Sequence, residues 1–207
     1  MNRMNEMGKY FLISLSVFLM IMIFSAVYFG GKMERLEYSE SPIEKIETLK
    51  VIPKETYSYT YSSDGGDMNL TYITFKGRDC TGVFIDEIPD AVTCLDKYGN
   101  DINNSNITLS NPLFYFFRPW MLSVDDNWEW NATMVMNADG MFVPMSVLEF
   151  KTEKTEIING REAYKVIMRE GNKEAYVWVD KEKRVLLKET GLNYKIELVS
   201  SPFLEEQ

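Results

Sequence analysis

Histidine is absent from all 207 positions. That removes Ser-His-Asp and Cys-His nucleophilic chemistry and the commonest transition-metal ligand. No G-x-x-x-x-G-K-[ST], G-x-G-x-x-G or H-E-x-x-H string occurs, so the usual signatures of a phosphate cradle, a dinucleotide fold and a zinc protease are missing. Cysteine is limited to Cys80 and Cys94, too far apart for the C-x-x-C of a redox pair. The adjacent carboxylates Asp125 and Asp126 read better as part of a turn that opens a strand than as an acid–base pair. No catalytic residue, metal or cofactor follows from these residues, and the expectation is a protein that is not an enzyme.

Positive charge is also in deficit, with 22 Lys and Arg against 31 Asp and Glu and a net charge of −9. A surface of that sign repels phosphate backbones, so nucleic acid is excluded as a partner, and it does not adhere to anionic lipid by charge. The acidity serves solubility. At 45 % hydrophobic and 26 % charged, the chain can bury enough apolar surface to offset its ordering entropy, which excludes wholesale disorder.

Residues 11–31, FLISLSVFLMIMIFSAVYFGG, hold no charged side chain. At about 1.5 Å per residue such a run crosses a hydrocarbon core of roughly 30 Å as a helix. A cleaved signal peptide is the rival, but its apolar part is shorter, and Ser25-Ala26-Val27-Tyr28 offers no A-x-A end. The expectation is a retained single-pass signal-anchor, with residues 1–10 in the cytoplasm because Arg3 and Lys9 precede the span. Tyr10, Tyr28 and Phe29 would mark the two interfaces. Either reading exports residues 32–207, to the outer side of a cell membrane.

Residues 32–55 read as a stalk. Ser41-Pro42-Ile43-Glu44 has the form of a capping box. Ile43, Ile46 and Leu49 then follow at helical spacing until Pro53, which predicts a short amphipathic helix packed on the domain. Residues 56–207 are strand-patterned. Tyr57, Tyr59 and Tyr61 alternate with Ser and Thr, and a turn over 62–67 leads to a strand over 68–76. Strands over 78–87 and 91–97 flank a turn at Pro89-Asp90. A simple hairpin there sets Cys80 opposite Cys94, and outside the cytoplasm such a pair is bonded.

Four N-glycosylation triplets begin at Asn69, Asn103, Asn106 and Asn131, which predicts a glycoprotein if the organism modifies asparagine. Residues 111–123, NPLFYFFRPWMLS, are apolar on most sides and read as a buried or covering helix that Pro119 ends or kinks. Trp128, Trp130, Ala132, Met134 and Met136 then fall on one face of a strand, with Glu129, Asn131 and Thr133 on the other. A return strand runs over 141–150. The last fifty-five residues form a meander, with strands over 152–158, 162–169, 174–180, 185–190 and 194–200 and Asn159-Gly160 as a hairpin turn. Tyr164 and Val166 share one face of their strand, as do Tyr176 and Trp178 of theirs.

The strings Gly160-x-Glu162-Ala163-Tyr164-x-Val166, Tyr176-Val177-Trp178-Val179-Asp180-Lys181-Glu182 and Leu186-Leu187-Lys188 resemble the carboxy-terminal half of the lipoprotein-carrier superfamily, which takes in Lol-type carriers, RseB-like sensors and mycobacterial lipoprotein relatives. The resemblance covers about fifty residues. It implies one large, curved antiparallel sheet of half-barrel type, with one or two covering helices over a hydrophobic cavity, and a lipid or lipoprotein as ligand. The chain departs from the soluble carriers in its anchor, which argues against shuttling, and in its cysteine pair.

The fold expected is therefore mainly β (α+β): a transmembrane helix followed by that sheet. Phe114, Phe117, Trp120, Trp128, Trp130, Met134, Tyr164 and Trp178 are the candidate lining of an apolar cavity, since Met and aromatic side chains suit an adaptable greasy pocket. The expected function is non-catalytic binding of a hydrophobic ligand or lipid-linked partner. The alternative is a cell-surface or envelope-assembly protein with a solid core that acts through its outer face.

Overall fold

The computed structural model describes residues 35–38, 47–86, 88–99, 102, 116–138 and 141–204. Eleven strands lie in these residues, and all join one antiparallel sheet. They are β1 (Arg35–Tyr38), β2 (Thr56–Ser63), β3 (Gly66–Lys76), β4 (Thr81–Ile85), β5 (Ile88–Leu95), β6 (Glu129–Ala138), β7 (Met141–Ile158), β8 (Arg161–Glu170), β9 (Lys173–Asp180), β10 (Leu186–Thr190) and β11 (Tyr194–Ser200). The order across the sheet is β1-β6-β7-β8-β9-β10-β11-β2-β3-β4-β5. Two meanders, β2 to β5 and β6 to β11, are thus joined by the pairing of β11 with β2, in which Ile196 faces Tyr61 and Leu198 faces Tyr59.

The turns follow local chemistry. Asn159 and Gly160 both take positive φ, 51° and 76°, as a two-residue hairpin whose twist matches its strands requires. Asp64-Gly65 and Gly171-Asn172 close β2–β3 and β8–β9, where Ser63 pairs with Gly66 and Glu170 with Lys173. Between β9 and β10, buried Asp180 accepts from the backbone N–H groups of Glu182 at 2.9 Å and Lys183 at 2.5 Å. It also takes both prongs of Arg161, at 2.9 and 3.2 Å.

Period-2 alternation sets the two faces. Tyr57, Tyr59, Leu70, Tyr72, Val83, Ile85, Trp130, Phe150, Val166, Val177, Ile196 and Leu198 are buried on one face. Strand spacing of about 4.8 Å would put Phe150 on β7 some 24 Å from Tyr57 on β2 in a flat sheet. Yet Phe116 lies 4.6 Å from the Tyr57 ring, and Trp120, four residues later, lies 5.2 Å from Phe150. Residues 116–120 therefore bridge β2 and β7 across this face; a twisted sheet of eleven strands curls, and this covered face is its concave side.

Several expectations need correction. The helix expected over 111–123 is, in its described part, a turn at Phe116 and a 3₁₀ helix of five residues, Pro119–Ser123. Pro119 opens this helix instead of ending it, because the first turn needs no N–H from it. The described residues 47–52 of the expected stalk helix are not helical. The stalk also contains β1, which pairs with β6 from Arg35↔Asn137 to Tyr38↔Met134, so the sheet starts earlier than the alternation at Tyr57. The strands expected over 141–150 and 152–158 are one strand of 18 residues, β7, with a register shift between Thr152 and Lys154. The bulge changes which face each later side chain takes, and so disguises the continuity.

Pro89-Asp90 lies inside β5, and the turn falls earlier, at Asp86. The β4–β5 register also shifts between Val83 and Ile85, and this shift sets Cys94 opposite Gly82, not Cys80. The disulfide forms nonetheless, with Cα atoms 5.6 Å apart, because residues 77–80 fold back over the strand: Gly77 N–H donates to Cys80 O at 3.1 Å. A Cβ on Gly77 would stand 2.2 Å from the Cys80 sulfur, so only glycine leaves room for the bridge.

Residues 11–31 lie outside the described residues, as do Asn103, Asn106 and Phe114. Among the described residues no helix is long and apolar enough to cross a membrane. Asn69 and Asn131 are both exposed.

Candidate functional site

The concave face is crossed by residues 116–124, which are buried from Phe116 to Val124. At one end Phe116 packs on Tyr57 and stacks on Tyr72 at 5.4 Å, and Tyr59 meets Tyr72 edge-on at 5.7 Å. At the other end Trp120 stacks on Trp128 at 5.4 Å with planes 9° apart, and Phe150 lies 5.0 Å from Trp130 and 5.2 Å from Trp120. Such aromatic pairs add roughly 0.5–1.5 kcal/mol each beyond their area burial.

Three polar ties hold the crossing segment to the sheet. Leu186 pairs with Val179 on β9, just before a register shift in β10, and lies ahead of the first β10–β11 pair at Lys188. Its N–H donates to Phe116 O at 3.0 Å, and Tyr59 Oη donates to Leu186 O at 2.6 Å. Arg118 pairs with Glu189 at 2.5 Å, both nearly fully buried, and Tyr194 Oη donates to the other Glu189 oxygen at 2.7 Å. Arg184, in the left-handed conformation at φ 60°, donates to Val124 O at 2.7 Å and to Glu47 at 3.0 Å. That guanidinium holds the Glu47 carboxyl below the usual carboxylate range. Burial raises the Tyr57 and Tyr59 hydroxyls, and for Tyr57 the Glu55 carboxylate that accepts from it at 2.8 Å adds to the rise. Neither phenol ionises near neutral pH. Glu55 is completed by Lys183 at 3.0 Å.

The structure brings together three of the expected lining residues, Trp120, Trp128 and Trp130, and adds Phe150 to them. Phe117 points elsewhere: a Cβ on Gly99 would stand 2.2 Å from its ring, so it packs on the turn after β5. Tyr164 is on the concave face, paired with Val179, and lies under the charges of Lys181 at 4.8 Å and Arg184 at 5.1 Å. Trp178 is a correction. It pairs with Lys165 on β8 and Lys188 on β10, one residue out of step with Val177 and Val179, and so lies on the outer face. Its ring takes the Lys188 ammonium at 4.9 Å, and its Nε1–H donates to Glu156 at 2.7 Å. The Lys165 and Lys188 stems and the Tyr176 ring at 6.2 Å cover it, which is how an outer-face tryptophan reaches 7 % exposure. Met134 lies in β6, but its side chain is outside those described, and Phe114 is outside the described residues.

Sequence reasoning missed Phe150, Thr152, Arg118 and Glu189. A lone arginine inside an apolar run was a readable sign that a buried acid waits elsewhere. The position of that acid, seventy-one residues later, was not. Asp125 and Asp126 are turn-builders: Asp125 accepts from Asn127 N–H at 2.8 Å and Asp126 from Thr155 at 3.2 Å. On the outer face, a half-open groove of about 350 Å³ lies over β6, β7 and β8, lined among others by Glu129, Asn131, Lys151, Ile167 and Arg169.

No family model matches the chain, and no curated protein matches it. Among solved structures it is similar to MucB, at 9 % identity and TM-score 0.36 over 76 % of this chain and 53 % of that one. It is similar to PNGF-II at 13 % identity and TM-score 0.34, over 71 % of this chain and 27 % of that one. It is similar to the hypothetical lipoprotein YmcC from Escherichia coli at 12 % identity and TM-score 0.34, over 87 % of this chain and 96 % of that one. The chain thus spans about half of MucB and about a quarter of PNGF-II. These are likenesses of strand arrangement and carry no chemistry.

Proposed function

We propose that the concave face of the sheet receives a hydrophobic ligand, or the apolar part of a lipid-linked partner, beneath residues 116–124, and that the protein binds without catalysing. One observation carries the reading. The apolar face of an eleven-stranded sheet is covered, among the described residues, by short irregular segments instead of a packed helix: residues 116–124, tied by a few polar contacts at Leu186, Glu189 and Arg184, with Phe203 beside them on Tyr57. Lifting that cover breaks the ring contacts of Phe116 and Trp120 and the Arg118–Glu189 pair but leaves the strand ladder intact. The protein acts outside the cytoplasm, held by residues 11–31; a disulfide fits an oxidising compartment. The full-length chain, purified from its own membrane and examined by native mass spectrometry, is expected to carry lipid. Its arrival free of any bound apolar molecule would overturn the proposal.

The alternative is a solid core with an outer face that does the work. It draws on the close ring contacts of Phe116 and Trp120 and on the outer groove over β6–β8. Lipid-free protein would favour it.

A further inference from the structure

Four polar side chains at the β6–β7 end of the concave face have no hydrogen-bond partner among the described residues: Trp120 and Trp128 at Nε1, and Ser123 and Thr152 at their hydroxyls. Their exposures are 2 %, 7 %, 0 % and 6 %, so bulk water does not serve them. They stand together. Thr152 N–H donates to Trp128 O at 2.9 Å, which extends the β6–β7 register by one pair and sets the two residues opposite each other on the concave face. The Trp120 ring stacks on Trp128, and Ser123 closes the 3₁₀ helix that Trp120 belongs to. Buried polar groups in native proteins are almost always paired, and a local concentration of unpaired ones marks a place where something else binds.

The chemistry of that something is constrained. An indole N–H can only donate, and the two hydroxyls can donate as well, so the complement is an acceptor oxygen. A charged acceptor would need a cation of its own. The guanidinium of Arg118 is bound to Glu189 and that of Arg184 to Glu47, while Lys151 pairs with Glu129 on the outer face. The surrounding walls are the rings of Trp120, Trp128 and Phe150. We propose that this end of the concave face holds the neutral carbonyl oxygen of an acyl ester, with its hydrocarbon chain along the aromatic face. The inference rests on the reading of that face as an apolar binding site and adds the ligand's polar group to it.

The test uses the full-length chain in amphipol and displacement of the uncharged probe N-phenyl-1-naphthylamine. Methyl dodecanoate is expected to displace the probe at about tenfold lower concentration than tridecane, the advantage of hydrogen bonds made in an apolar site, and at lower concentration than dodecanoate at pH 7. Thr152→Val keeps the shape of the side chain and removes its hydroxyl, Ser123→Ala removes the second, and Trp128→Phe removes an indole N–H. Each should bring the ester-to-alkane ratio towards one and leave tridecane unchanged. Where Trp128→Phe loses its native circular dichroism, the two hydroxyl variants carry the test. Equal displacement by ester and alkane in the wild type, as when water fills the donors, overturns the inference and leaves the binding site standing. So does an unchanged ratio in the variants, or tighter binding of dodecanoate. Absence of probe binding overturns the binding site itself, and the ester with it.

Discussion

Arg118 is the side chain on which the cover of the concave face depends most. It and Glu189 are nearly fully buried, 2.5 Å apart, with Tyr194 completing the acid. Replacing a buried pair by apolar groups is often neutral, whereas removing one member strands a charge. Arg118→Met is therefore expected to destabilise the protein by about 3–5 kcal/mol in urea unfolding. The double variant Arg118→Met, Glu189→Leu should recover most of that loss. A double variant no more stable than the single one would mean that the pair does more than neutralise itself. At this scale the sequence is hard to read, because nothing local to Arg118 indicates which of 31 acidic residues it will meet. The same holds for Trp178, whose face depends on register with β8 and β10 and not on its own strand's alternation.

Elements were more legible than residues, since hydrophobic period and turn chemistry are local. The alternation at Tyr57 and Tyr59 and the Asn159-Gly160 turn led directly to β2 and to the β7–β8 hairpin. Failures came where geometry departs from the simple period: the bulge that splits the appearance of β7, the proline inside β5, and the four residues of β1. The disulfide hairpin illustrates both sides. Its pairing was readable from compartment and spacing, but its register was not, since Gly82 takes the place opposite Cys94. The bridge closes a loop of about fifteen residues, worth roughly 3 kcal/mol in the chain-entropy description. Cys80→Ala with Cys94→Ala should lower the urea midpoint by that amount with an unchanged slope. A loss under about 1 kcal/mol would show that the 77–80 fold-back holds β4 to β5 unaided.

Across the whole molecule, the order of strands decides how the chain comes apart. The β2–β5 meander touches the β6–β11 meander through the β11–β2 pairing and through Phe116, which packs on Tyr57 and Tyr72. With one concave core shared between them, neither has a face it can keep dry alone. Thermal unfolding is expected to be one transition. Fluorescence, dominated by Trp120, Trp128, Trp130 and Trp178 in the second meander and its cover, should coincide with far-ultraviolet circular dichroism from all strands. Two separated midpoints would mean that the halves fold independently.

The place of β1 has a consequence for posture. Three residues, 32–34, separate the end of the uncharged run from Arg35, the first residue of β1. Fully extended they span about 10 Å. If residues 11–31 cross a bilayer, so short a leash leaves the domain no room to swing. The β1–β6 margin, and with it the tryptophan end of the concave face, would then be berthed at the height of the lipid headgroups. The β4–β5 margin, at the far end of the strand order, would point away. A ligand leaving the bilayer would then meet the indole donors first, without a carrier and without crossing open water.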